Sequence, residues 1–117
     1  MIRVKLLKVD YTDNRVVLSD NGTAGLITEG HAGLAEKGTD IVCAAVSTLI
    51  QTAIVSIDNI AGVPQNISQD DGYLSSTFSI NGLTIEERKT IEIIIHTMLL
   101  GLFEIRKQYP ERLEIAL

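Results

Sequence analysis

Ile91, Ile94, Ile95, Met98, Leu102 and Ile105 recur at the three- and four-residue steps of an α-helix. This stripe constrains the fold more than any other feature, because a long one-sided helix must find an apolar surface to cover it. Thr84, with Glu87 three residues on, is a capping-box pattern for its start. Glu86 and Glu87 suit the positive end of the helix dipole, and Pro110 stops the helix at Tyr109 or earlier.

A second helical stretch runs from Ile41 to about Ile60, with Asp40 or Thr39 as N-cap. Gly62 is the natural residue just past its end, and Pro64 blocks continuation. Val42, Val46, Leu49, Ala53, Ile57 and Ile60 form its apolar stripe, with Asp40, Ser47, Gln51 and Asp58 opposite and Cys43 at the border.

The rest of the chain reads in the strand period. Ile2 to Val9 alternates, Asp10 to Asn14 is turn-like, and Arg15 to Leu18 is a short second strand. Ser19-Asp20-Asn21-Gly22 is a turn, because Asn-Gly tolerates positive φ. Thr23 to Glu29 is a further strand. Ala32 to Thr39 reads as a loop loosened by Gly33 and Gly38. Gln65 to Gln69 and Tyr73 to Ile80 form strands around the turn Asp70-Asp71-Gly72, and Arg112 to Leu117 is a last extended segment. Strands and helices in this order predict an α+β two-layer domain, with a small, mostly antiparallel sheet packed against two long helices.

A chain of 117 residues reads as one domain, residues 1–117, long enough to bury a core. One cysteine forms no internal disulfide, which fits a reducing cytoplasm. The N-terminal Met-Ile-Arg-Val-Lys lacks the apolar core of a signal peptide. Polar residues interrupt the longest apolar stretches, so neither reads as a membrane span. A net charge of −5 with no basic cluster argues against direct nucleic-acid binding, and leaves a basic protein or peptide as a suitable partner.

The chemistry-bearing residues gather in Gly30-His31-Ala32-Gly33 and Asp40-Ile41-Val42-Cys43. With Asp40 as N-cap, Cys43 is the third helical residue, near the positive end of the dipole, which favours a thiolate. His31 ends a strand and is the candidate base for that thiol. As an isolated residue each has a plainer reading, a space-filling core thiol and a loop histidine. Gly30, Gly33 and Gly38 flank the pair, as ordinary turn residues or as a flap over the thiol. Their spacing is not that of a phosphate-binding loop. Asp40 and Ser47 lie at helical spacing from Cys43, as supporting groups or as an N-cap and a polar-face serine. His96 lies mid-way along the second helix at the boundary of its faces, Asp70-Asp71 belongs to a hairpin turn first and a cation or basic substrate second, and the two histidines and one cysteine have no zinc spacing.

These segments resemble a known family. Gly30-His31-Ala32-Gly33, Ala35-Glu36-Lys37-Gly38 and Asp40 to Ser47 look like the signature of the bacterial ribosomal-processing cysteine protease family, Prp. Gln51-Thr52-Ala53, Asp71-Gly72-Tyr73-Leu74, Gly101-Leu102 and Tyr109-Pro110 support it. The resemblance implies an endopeptidase whose dyad falls on His31 and Cys43; Gly30, Gly33, Gly38, Asp40 and Ser47 are the supporting candidates already read from the sequence, and the reaction needs no cofactor. The resemblance also implies a homodimer with an α+β fold, a mobile loop between the dyad residues, and a substrate that is the N-terminal extension of large-subunit ribosomal protein twenty-seven. The stretch from Asp10 to Gly22 is longer than the family pattern, Leu34 replaces an aromatic residue and Thr39 an acidic one. The rival reading is a non-enzymatic ribosome-associated binding or assembly protein with a structural thiol.

Overall fold

Alternation along Ile2–Leu7 (β1) places Ile2, Val4 and Leu6 on one buried face and Arg3 and Lys5 in solvent. In the computed structural model, which describes residues 1–31 and 40–117, that buried face belongs to a five-stranded sheet. Its other strands are Thr23–Gly30 (β4), Asn66–Asp70 (β5), Tyr73–Ser79 (β6) and Leu113–Ala116 (β7), in the order β5-β6-β4-β1-β7. All neighbours are antiparallel except β1 and β7, so the sheet is mixed. Two helices, Ile41–Ser56 (α1) and Ile85–Gln108 (α2), share one apolar core with the buried sheet face. This is the α+β arrangement that the sequence predicts.

β1 ends at Leu7 rather than Val9, because Lys8 takes a positive φ of 57° and turns the chain. The residues read as a turn, Asp10 to Asn14, are instead largely strand. Val9–Thr12 (β2) pairs with Arg15–Leu18 (β3), and the turn shrinks to Asp13 and Asn14, both at positive φ. This region is therefore a hairpin. It docks on α2, where Tyr11 packs edge-on to His96 at 5.7 Å and against Phe103 at 5.4 Å. Arg88 donates to the carbonyls of Leu18 and Ser19, and Glu92 accepts from the Leu18 N–H. His96, mid-way along α2 and half-buried, is thus a packing residue at the edge of the helix's buried face.

α1 stops at Ser56 and gives way to a π-helical turn, Ile57–Ala61, closed by Gly62 at φ +70°. The wider turn changes the phase of the side chains. Ile60, expected in the apolar stripe, is 70% exposed as a result. Ile50 and Ile54 are buried in its place, while Leu49 is half-buried. Gln65 secures this end, donating from Nε2 to the Ile54 carbonyl and accepting the Ser76 hydroxyl at 2.7 Å.

Ile41–Ala61 is long and apolar enough to cross a membrane by length and composition, with a mean hydropathy of 1.8. Its apolarity has a local cause, since Val42, Val46, Ile50, Ala53, Ile54 and Ile57 pack into the core. α2 begins with the expected capping box, Thr84 Oγ1 accepting from Glu87 N and Glu87 Oε1 from Thr84 N. Leu99 joins its buried residues, and Ile94 and Ile105 sit at the margin. Gly101 lets the helices approach, because a Cβ there would lie 2.8 Å from a Leu49 methyl.

Candidate active site

β4 and α1 meet at the end of the sheet where β4 stops at Gly30. Gly30 takes φ +95°, and a Cβ on it would collide with the Met1 carbonyl oxygen. Only glycine fits this close approach of two backbones. The Gly30 N–H donates to the Gly72 carbonyl at 2.8 Å, joining the end of β4 to the β5–β6 turn. His31 follows at once, its carbonyl accepting from the Met1 amino group at 2.6 Å. The imidazole lies against Gly72, where an added Cβ would be 3.0 Å from Nε2.

The opposite wall is the start of α1. Asp40 is the N-cap, with one carboxylate oxygen accepting from Val42 N at 2.9 Å and Cys43 N at 3.2 Å. Its own carbonyl accepts from Ala44 N. Asp40 is only 3% exposed, so it does not lie on the solvent-facing side with Ser47 and Gln51 as the helical wheel suggests. The cap folds its carboxylate back onto the helix end. This also amends the electrostatic argument for Cys43. The N–H groups of Val42, Cys43 and Ala44 already have acceptors, and the Asp40 carboxyl sits at the dipole's positive end. Cys43 itself is half-buried and not in a disulfide.

Between these walls lies an open cleft of about 540 Å3, lined by His31, Cys43, Asp40 and Ser47 and by Gly30. Five residues singled out from the sequence are therefore brought together. Gly33, Gly38 and the expected flap lie outside the described residues. Sequence reasoning underweighted the third wall, the β5–β6 turn, which brings Asp70, Asp71 and Tyr73 to the same cleft. A two-residue turn followed by glycine reads first as hairpin chemistry, with a cation or basic substrate as the second reading of Asp70-Asp71, and the resemblance pointed to Asp71-Gly72-Tyr73-Leu74. Thr28 and Ile2, from the sheet, were not anticipated. Among the described residues no group of three or more acidic, histidine or cysteine side chains could hold a metal ion.

Comparison with known proteins gives this cleft a context. The family model described as cysteine protease Prp matches residues 11–114. The ribosomal processing cysteine protease Prp of Bacillus subtilis is 31% identical over 99 residues, covering 83% of this chain and 88% of the relative. The protein of the same name from Staphylococcus aureus is 28% identical over 110 residues, covering 94% and 97%. Among solved structures, S. aureus Prp with a covalently linked product peptide superposes with a TM-score of 0.72 at 27% identity, over 99% of this chain and 98% of the other. The same protease with a substrate peptide gives 0.66 at 25% identity, over 98% and 97%. Because the match runs from the hairpin through the His31 strand and the Cys43 helix into β7, the chain belongs to the Prp family of cysteine proteases.

Proposed function

We propose that this protein removes the N-terminal extension of large-subunit ribosomal protein twenty-seven, with Cys43 as nucleophile and His31 as base. The observation that carries the reading is that His31 and Cys43, from separate elements, line one open cleft. The relatives named as ribosomal processing proteases, and the S. aureus structures with substrate and product peptides, support it.

In this mechanism His31 takes the thiol proton and the Cys43 sulfur attacks the scissile carbonyl, forming a carbon–sulfur bond. The tetrahedral intermediate collapses as the imidazolium protonates the leaving amine, which departs and leaves a thioester. Water, deprotonated by His31, then attacks the thioester carbonyl and expels the thiolate. With Asp40 opposing the dipole, the imidazolium supplies the positive charge beside the thiolate. The Cys43 N–H, on the longer of the two cap bonds, is the donor a developing oxyanion draws away from Asp40. Ser47 and the glycines Gly30, Gly33 and Gly38 support substrate entry. The reaction calls for no cofactor.

The protein acts in the cytoplasm as one catalytic domain and as a homodimer. Ile93 and Leu100, both exposed and two turns apart on α2, offer an apolar face for a second copy.

Incubation with the full-length ribosomal-protein precursor of the same organism tests the reading. The product is expected to carry a new N-terminus lacking the extension, and Cys43→Ala to lower the cleavage rate at least about a thousandfold while keeping the fold. Cleavage undiminished in Cys43→Ala would sink the mechanism. An uncut precursor would sink the substrate.

A further inference from the structure

Thr28 lies three residues before His31 on β4. Strand alternation puts it on the same side as Ala24 and Leu26, the side that faces the helices. Its cross-strand partners are Val4 of β1 and Leu74 of β6. With Ile2 and Leu74 it lines the sheet side of the cleft, opposite Cys43 and Val46 of α1. Its hydroxyl oxygen is sealed from solvent, with less than 1 Å2 exposed, and has no hydrogen-bond partner among the described residues.

The fold gives no reason for that hydroxyl. Valine has the same shape, the same branching and at least the same preference for a strand, and carries no polar atom to strand in a dry wall. An unsatisfied buried hydroxyl is destabilising, so one that persists in a substrate cleft calls for a use outside folding. The staggered wells of χ1 differ by about 120°, and one step between them carries the hydroxyl to the place the methyl held, the methyl moving to that of the β-hydrogen. A peptide filling the cleft therefore has a hydroxyl within one rotamer step of it, in a setting otherwise apolar at Ile2, Leu74 and Val46.

We infer that Thr28 is a specificity-determining residue, whose hydroxyl hydrogen-bonds the side chain of the substrate residue seated over Ile2 and Leu74. The subsite takes a side chain with an apolar stem and a hydrogen-bonding tip, of the threonine, asparagine or glutamine kind. Aliphatic isosteres are disfavoured, because they forgo the hydrogen bond that a polar tip makes to the otherwise unpaired hydroxyl. The inference rests on the peptidase reading above.

The test is a set of internally quenched peptides spanning the processing site. Each position is varied in isosteric pairs: Thr against Val, Asn against Leu, Gln against Met. kcat/KM is compared for the wild type, Thr28→Val and Thr28→Ser. At one position the wild type is expected to favour the polar member by about tenfold or more. Thr28→Val should lose that preference at that position alone, and Thr28→Ser should keep it. Thr28→Val should melt no lower than the wild type.

A wild type with no such position, or a Thr28→Val profile matching the wild type, overturns the inference and leaves the peptidase reading standing. A Thr28→Val protein that fails to fold assigns the hydroxyl to the structure and overturns it too. A wild type that cleaves none of the peptides overturns the peptidase reading, and this inference with it.

Discussion

Gly72 stands at φ +66° with the His31 imidazole against it. A side chain there is penalised twice, by the left-handed backbone and by contact with Nε2 at 3.0 Å. Gly72→Ala is therefore expected to cost about 1–2 kcal/mol of stability from the backbone. It should also lower kcat/KM by about tenfold or more, because a small displacement of a catalytic group is amplified in rate. Steady-state kinetics beside a melting curve checks both, and a variant that melts lower yet cleaves at the wild-type rate would show that the glycine seats nothing. Asp40 makes a different claim. Its carboxylate holds two N–H groups while almost wholly buried, so Asp40→Ala should lose about 1–2 kcal/mol in urea unfolding. Asp40→Asn, which keeps an acceptor, should lose less.

Among the elements, the π turn after α1 is where helical periodicity stops being a guide. The stripe Val42, Val46, Ala53, Ile57 is legible because those positions obey one period and are buried. Ile60 obeys it on paper and is exposed, because the wider turn rotates it away from the core. No composition signal marks such a turn. What stabilises it lies eleven residues from Ile54 in the sequence, the Gln65 bridge to the Ile54 carbonyl and the buried Ser76 hydroxyl. Gln65→Ala should therefore cost about 1–3 kcal/mol, because Ser76 then loses its partner in the core. Chemical denaturation measures it, and a neutral effect would assign α1's end to packing alone. The hairpin β2–β3 was half legible. Arg15–Leu18 reads as a strand, but polar Asp10 and Thr12 disguise its partner, whose inward residues Val9 and Tyr11 rest on α2 and on the core. The caps are local: Thr84 with Glu87 was fully legible, and Asp40 was one of two candidates for the start of α1. The β5–β6 turn was not read as part of the site, because its meeting with His31 is made by sheet order, which no short window of sequence contains.

At the scale of the molecule, the sheet order explains why the site lies where it does. β4 is central, flanked by β1 and β6, so the end of β4 is framed by Met1 on one side and the β5–β6 turn on the other. α1 starts above that end and delivers Cys43, and His31 emerges from it. Sequence proximity made the pair a suspicion, the resemblance gave it a reaction, and the fold places both residues on one cleft. The arrangement leaves Cys43 beside the capping Asp40, and in the proposed mechanism its reactivity depends on the imidazole and not on the helix alone. The most direct test is the rate at which iodoacetamide alkylates Cys43 near neutral pH, followed by intact mass, in the wild type and in His31→Ala. The account predicts that the wild type reacts about tenfold faster or more, since only the thiolate is the nucleophile. Equal rates in the two proteins would contradict it.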